Sequence, residues 1–465
     1  MPFQDHTWGW LRMQLEPIMK KAIKTALSEG VNDAEVFAVR SRTLSVYVDD
    51  NAIKNVEEKT DQGLSVRVIR AKKVGQASST YSNVRDSESC AIKAVKLAGV
   101  SQPDPLFKNF PVSEKGAEIP NVYDRAVSGM DAGTITELAR NIVASAVAAG
   151  NVKVPSGLIR VAAIQSMLAN TNGVETETRS TMIYAHFTSM TEGEKPGEGV
   201  RSFFSPHLAG FDTAEFGNHL GQGAIDSMKA VPFEGKKHTT VIIPPIELQE
   251  LLQSTVSYSI SAENVHRHRS AWAKMVGKEV ASPGITMVDD PFDAKGMLSS
   301  GYDDEGVRTS RKVLIDRGVL KTFLYDSYNA QRAGVRPTGN AVRRSPIDSQ
   351  NLYRNGIDID PVNLVVKPGT KSLEQIIAGI DDGLMIGRLA SADASGITGA
   401  FGLEIRCAYV IKKGAITGTV NHALVAGNMY DALKNVREVA NDTTVIRSGI
   451  LPSVAFERIE IIGSK

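Results

Sequence analysis

The chain has 465 residues, 42% hydrophobic and 23% charged, with 53 Lys and Arg against 52 Asp and Glu and a formal net charge of +1. That length exceeds one ordinary core and predicts two or three domains. The charge balance argues against a surface devoted to nucleic acid, because such domains carry a net basic patch or stripe.

Only two cysteines occur, Cys90 and Cys407, which excludes a disulfide framework or a cysteine-based zinc finger and suits a reducing compartment. The first thirty residues lack the basic, apolar and small-residue succession of a secretory signal. No run approaches the ~20 apolar residues of a membrane span. A cytoplasmic protein without a membrane segment is expected.

In chain order, Leu15 to Glu29 reads as a helix, with Leu15, Ile18, Met19, Ala22, Ile23, Ala26 and Leu27 at helical spacing and Gly30 at the stop. The runs AEVFAVR, TLSVYVDD, AIKNVEEK and GLSVRVIRAKKVGQASST follow as short antiparallel strands with a tight turn at Asp49, Asp50 and Asn51. A helix from about Asp86 to Leu97 completes an N-terminal α+β domain, residues 1–100. The proline-rich SQPDPLFKNFPVSEKGAEIPN then reads as a linker or surface connection. With a helix TITELARNIVASAVAAG and a strand pair turning at Asn172 and Gly173, it makes a middle α+β region, 101–235.

Residues 236–465 are expected to form a β-rich domain with a few helices. Its hairpins turn at Asp316, Arg317 and Gly318 and at Lys412, Lys413 and Gly414. The stretch PPIELQELLQSTVSYSISAENVHRHRS, Pro244 to Ser270, opens as a helix with Pro245 in its first turn. Leu248, Leu251, Leu252, Val256 and Ile260 give it one apolar side. Gln253, Ser254 and Tyr258 lie off that stripe, in the middle of the segment.

Candidate chemistry is sparse. Glu263 and His266 share a helical face, but His266 and His268 point apart and sit beside Arg267 and Arg269, whose charges oppose a cation. Cys407 lies in an apolar alternation and reads as packed core. GIDDG and SADASGITGAFG lack a phosphate-binding pattern and read as turns. DDEGVRTSR, Asp303 to Arg311, reads as a surface charge network.

Three segments, SVYVDDNAIKNVEEKTDQGLSVRVI, YDDEGVRTSRKVLIDRGVLKTFLYDSYNAQRAGVRPTGNA and VAGNMYDALKNVREVANDT, taken in order, resemble the TldD/PmbA family, also called modulators of DNA gyrase and understood as metallopeptidases. In that family the TldD-type subunit carries zinc on a helical His-Glu-x-x-x-His motif with a cysteine near the C-terminus. Zinc takes imidazole and thiolate ligands and keeps an open position for water, with the glutamate as general base. Laid on this sequence, the motif falls on Gln253, Ser254 and Tyr258, and Ser448 is the nearest counterpart of the cysteine. Residues five apart lie about 140° apart on an ideal helix, so the motif needs a local distortion.

With every ligand position replaced, the chain resembles the TldE/PmbA-type subunit, which lacks the motif. The resemblance implies no metal or cofactor bound by this chain, zinc in a TldD-type partner, and an unfolded peptide as substrate. It also implies that Thr338, Gly339, Asn340 and Arg343 line the substrate chamber, the fork of Arg343 suiting carboxylates. Two alternatives stand beside the non-catalytic subunit: a hydrolase using a metal site near Glu263, His266 and His268, and a homodimeric peptide-binding protein without chemistry.

Overall fold

The computed structural model describes residues 15–114 and 121–463. The chain start at 1–14, read above for a targeting signal, and positions 115–120 of the linker lie outside the described residues.

The fold is α+β and rich in antiparallel sheet, as expected. The short runs of the N-terminal region join into two long strands, β1 (Asp33–Asp49) and β2 (Ala52–Arg70). The small polar residues Ser41 and Thr43 do not interrupt β1, because its ladder is continuous on both sides. Asp50 and Asn51 turn the hairpin with φ of 46° and 66°, left-handed values that Asp and Asn tolerate. With β3 (Lys73–Thr80), β4 (Val152–Asn170), β5 (Glu175–Thr191) and β6 (Glu198–Ser205) they form a six-stranded sheet in the order β3-β2-β1-β4-β5-β6. Since β1 pairs with β4 along its length, the first hundred residues and the middle region share this one sheet.

Period-two alternation divides the faces of the sheet. Ala34, Val36 and Ala38 of β1 pack under helices Leu15–Ser28 and Val84–Val100. Leu44 and Val46 pack under Ala132–Ala148 and Thr213–Met228. Phe37 and Val39, of opposite parity, meet Met297, Leu352, Tyr353 and Ile446 of the C-terminal half. One face is thus closed by helices and the other by the part of the chain that carries the motif.

In that half, strands Lys236–Ile243, Val454–Gly463, Ala423–Asn428, Ala400–Lys412 and Asp382–Leu389 pair in succession, and the last pairs back to the first, closing a ring of five. The two expected hairpin turns are present, with Arg317, Gly318, Lys413 and Gly414 all at positive φ. Leu248, Leu251, Leu252, Val256 and Ile260 lie in one core with Val241 and Leu384 of the ring and Met287, Ile315 and Leu364 of a second, smaller sheet. The apolar stripe of the motif segment is therefore fully used in packing, and its polar residues are left to face the space beyond.

Candidate functional site

The motif segment is not one helix to Ser270. It is α-helical over Pro245–Leu252, takes a π-helical turn over Gln253–Ser257, resumes at Tyr258–Ile260 and breaks at Ser261. Side-chain hydroxyls explain the change of winding: Ser254 Oγ donates to the carbonyls of Glu250 and Leu251, and Thr255 Oγ1 donates to Leu251. Those carbonyls ordinarily receive backbone N–H groups four residues on, and competition of this kind bends or widens a helix. A turn with i to i+5 bonding places residues five apart on one side. Gln253 and Tyr258 accordingly line the same cavity, of about 300 Å³, together with Ser257, Glu263, Asp358 and Asp360.

Asp360 is the centre of the site. It follows the two-residue strand Asp358–Ile359, which pairs with Ala341–Val342 and so brings the RPTGNAVRR segment beside the motif turn. Its Oδ2 accepts from Gln253 Nε2 at 2.6 Å. Burial pushes its carboxyl up to about 7, against the opposing effect of the Gln253 hydrogen bond. Asp360 also lines two adjoining cavities, one of about 290 Å³ with Arg343 and Arg344, the other of about 190 Å³ with Gln249, Arg344 and Ser448. Three spaces thus meet at one carboxyl group.

The structure brings Gln253, Tyr258, Ser448 and Arg343 to this groove. Ser254 is turned to its own helix and accepts from Ala394 N at 3.2 Å, so the SADASGITGAFG loop is seated on the helix at this position. Gln253, Ser254, Tyr258 and Ser448 supply an amide, hydroxyls and a phenol, with none of the imidazole or thiolate that zinc favours, and the carboxyl groups at the cavity are those of Glu263, Asp358 and Asp360.

Thr338 and Asn340 make internal bonds, and Gly339 is closely packed between them. Thr338 Oγ1 accepts from Tyr325 N at 2.8 Å and donates to Tyr325 O at 3.1 Å. Gly339 holds φ +72° against the Arg308 carbonyl, 2.6 Å from where a Cβ would stand. Asn340 is fully buried, its Nδ2 donating to Asp289 Oδ2 at 2.7 Å and to Asp360 O at 2.9 Å.

Glu263, His266 and His268 are not drawn together. Glu263 pairs with Arg267 at 2.7 Å, and His266 Nδ1 meets Asn329 Oδ1 at 2.9 Å. His268 follows the helix end at φ 57°. Among the described residues no three His, Cys, Asp or Glu are grouped so as to hold a metal ion. Cys407 is buried in its strand, and burial pushes its thiol up to about 11, away from nucleophilic use.

The DDEGVRTSR segment is a correction to the reading of a surface network. Asp303, Asp304 and Glu305 are all at most 5% exposed. They lie between the six-stranded sheet and the C-terminal half, where Arg67 of β2 bridges its cross-strand neighbour Glu35 and Glu305, at 2.8 and 2.9 Å. Burial, reinforced by the charge of Glu305, holds the Asp303 carboxyl well above the usual carboxylate range. Asp304 pairs with Arg344 at 2.9 Å, and the Arg343 guanidinium lies 4.5 Å above the Phe37 ring. This buried cluster braces the arginines of the groove from behind.

With the geometry described, similarity to known proteins identifies the class. The family model of the PmbA/TldA metallopeptidase C-terminal domain matches residues 236–463, and that of PmbA/TldA metallopeptidase domain 1 matches 34–98. The chain is 29% identical to an uncharacterised protein of Methanocaldococcus jannaschii over 94% of this chain and 98% of that one. It is 23% identical to Metalloprotease PmbA of Escherichia coli O157:H7, over 96% of each. The crystal structure of TldE from Thermococcus kodakarensis superimposes with a TM-score of 0.89 at 25% identity, covering 96% of this chain and all of that one. The protein is therefore of the metallopeptidase-like class. It belongs to the PmbA/TldD family.

Asp360, Arg344 and Gln249 were not singled out by sequence reasoning. The pairing of Ala341–Val342 with Asp358–Ile359 places Asp360, and strands of two residues leave no periodicity to read.

Proposed function

We propose that this chain is the non-catalytic subunit of a heteromeric zinc peptidase of its family, holding an extended, unfolded peptide along the groove at Asp360. A TldD-type partner with an intact His-Glu-x-x-x-His motif supplies the metal and the general base. One observation carries the reading: the π-turn that the motif spacing requires is kept, while its positions hold Gln253, Ser254 and Tyr258. The scaffold for positioning is retained without the groups for water activation, and positioning is itself a substantial part of catalysis. Of the chamber residues implied by the resemblance, Arg343 meets the peptide, and Thr338, Gly339 and Asn340 hold the turn behind it.

The test is to assay an unstructured peptide with this chain, with a TldD-type partner, and with both. Cleavage is expected with the partner's zinc site present, to be greatest in the mixture, and to vanish when the partner's motif glutamate is replaced. Hydrolysis by this chain alone, free of contaminating protease, overturns the proposal. A mixture that forms no complex on gel filtration returns the homodimeric peptide-binding reading to first place.

A further inference from the structure

The cavity of about 300 Å³ that Gln253 and Tyr258 share with the strand Asp358–Ile359 is one-sided in its chemistry. Three carboxyl groups line it, those of Glu263, Asp358 and Asp360, and among the described residues no Lys, Arg or His does. Its two side-chain amides have spent their donors: Gln253 Nε2 donates to Asp360 at 2.6 Å, and Asn264 Nδ2 to Tyr258 O at 2.9 Å. Carboxylates and hydroxyls remain, a set that suits a ligand rich in N–H donors.

Two of the carboxylates are open to a ligand. Asp358 is exposed, and its side chain makes no ion pair or hydrogen bond to any described residue. Arg343 and Arg344, which line the adjoining cavity with it, are engaged by Glu35 and Asp304 instead. Glu263 is 38% exposed and pairs with Arg267, itself 54% exposed, in a surface contact of the kind that contributes little. The third carboxyl, Asp360, is buried and has an unsatisfied neighbour. Ser257 is 3% exposed, and its Oγ lies beside the Asp360 carboxyl without a hydrogen-bond partner among the described residues. An orphaned buried hydroxyl costs about 1–3 kcal/mol, and a donor that reaches Asp360 meets this hydroxyl too.

We infer that this cavity is a cation subsite, in which Asp358, Glu263 and Asp360 receive a positively charged nitrogen group of the bound peptide, either its N-terminal ammonium or a Lys or Arg side chain. The inference rests on the peptide-holding function proposed above and adds the chemistry of what is held.

The spacing of the acids selects an organic cation over a metal ion. Among the described residues no three His, Cys, Asp or Glu converge closely enough to hold one. An ammonium carries three donors and a guanidinium five, so either can serve acceptors that do not share a single centre. The cation also relieves a conflict already present in the fold. Burial and then the charge of Asp358 both oppose ionisation of Asp360, and a positive group beside the two carboxyls offsets that repulsion. Because Asp358 and Asp360 also line the cavity of Arg343 and Arg344, an anchored residue leaves the adjoining peptide room along the groove.

The experiment measures binding by fluorescence anisotropy to the full chain, alone and in complex with a partner whose motif glutamate is replaced. The probes are one short unstructured peptide, labelled at its C-terminal end, in three forms: N-acetylated without Lys or Arg, the same sequence with a free N-terminus, and the acetylated form with one internal Lys. At least one cationic form is expected to bind about ten-fold more tightly than the neutral one, the effect of one charge-assisted contact. A gain from the free N-terminus assigns the site to the terminal ammonium, and a gain from the internal Lys assigns it to side chains. Asp358→Asn is expected to remove most of the preference. Glu29→Gln, the same change of charge at an exposed position on the first helix's far end, is expected to leave it intact. Equal loss in both variants reduces the preference to net charge and overturns the subsite. Equal binding of all three probes by the parent protein overturns the subsite but leaves the peptide groove standing. Binding of none of the three overturns both.

Discussion

Gln253 and Asp360, 107 residues apart in sequence, are joined by a 2.6 Å hydrogen bond from amide to carboxyl. The Gln253 amide, where the resemblance lays the first motif ligand, is thereby committed to an acid far from it in sequence. Both ends of the bond face the groove, so the pair sets its polarity.

Asp360 makes stability depend on pH in a stated direction. Its carboxyl is raised from an ordinary 3.8 to about 7, so the folded chain holds this proton more tightly than the unfolded chain does. The associated stability is fully present below about 4, is lost as pH rises towards 7, and changes no further above that. At about 1.4 kcal/mol per pH unit, the whole effect is a few kcal/mol at most. Asp360→Asn, which keeps the shape without the titration, is expected to gain on the parent across that interval. Urea midpoints of the two proteins between pH 4 and pH 7 provide the measurement, and a constant difference between them contradicts the assignment.

Arg67 is predicted to be among the costliest single side chains to remove. Its loss leaves Glu35 and Glu305, each 1% exposed, without their shared counter-ion, and breaking a buried pair costs about 3–5 kcal/mol. Arg67→Met is expected to fall in that range on chemical denaturation. Adding Glu35→Gln and Glu305→Gln should return part of the loss, since the two orphaned carboxylates are then gone, while Arg343, which gives up Glu35 at 3.6 Å, keeps its bond to Asp304 O. A triple variant no more stable than Arg67→Met rules out charge burial as the cause.

The loop on the motif helix is predicted to tolerate no side chain at Gly396. A Cβ there would stand 2.7 Å from the Ser254 carbonyl oxygen and 2.7 Å from the Tyr258 ring. Gly396→Ala is expected to cost about 1–3 kcal/mol as overpacking. Gly402→Ala, whose Cβ meets nothing within 4 Å, serves as the control and should stay within about 0.5 kcal/mol of the parent.

Metal content tests whether this chain differs from a metal-bearing subunit. Elemental analysis after gel filtration is expected to find zinc well below one per chain, unaltered by His266→Ala. A ratio near one that falls with His266→Ala would revive the hydrolase centred on Glu263, His266 and His268.

Much of the fold was legible because its signals are local. Asp and Asn at the β1–β2 turn, Asn172 and Gly173 between β4 and β5, and the capped helices all announce themselves within a few residues. The helical motif segment was legible only to Leu252, because the widening that follows arises when Ser254 and Thr255 hydroxyls compete for backbone carbonyls, and hydroxyls on a helix have other choices. The acidic DDEGVRTSR segment was misplaced for a related reason. Composition indicates charge, and only the arrival of Arg67 from β2 makes its burial tolerable.

The sequence by itself determined the two alternating faces of β1, the apolar stripe from Leu248 to Ile260, and the residue types at Gln253, Ser254, Tyr258 and Ser448, where the family resemblance lays the zinc motif. These are properties of residue type and spacing, and no packing can turn an amide into an imidazole. Tertiary structure alone decided that Asp360 meets Gln253, that Arg343 and Arg344 line one cavity, and that Glu305 reaches β2. Each of those contacts depends on how the sheet, the ring of strands and the two-residue ladder at Ala341–Val342 stack. Stacking is set by the summed burial of many apolar side chains, a quantity that no single stretch of sequence carries.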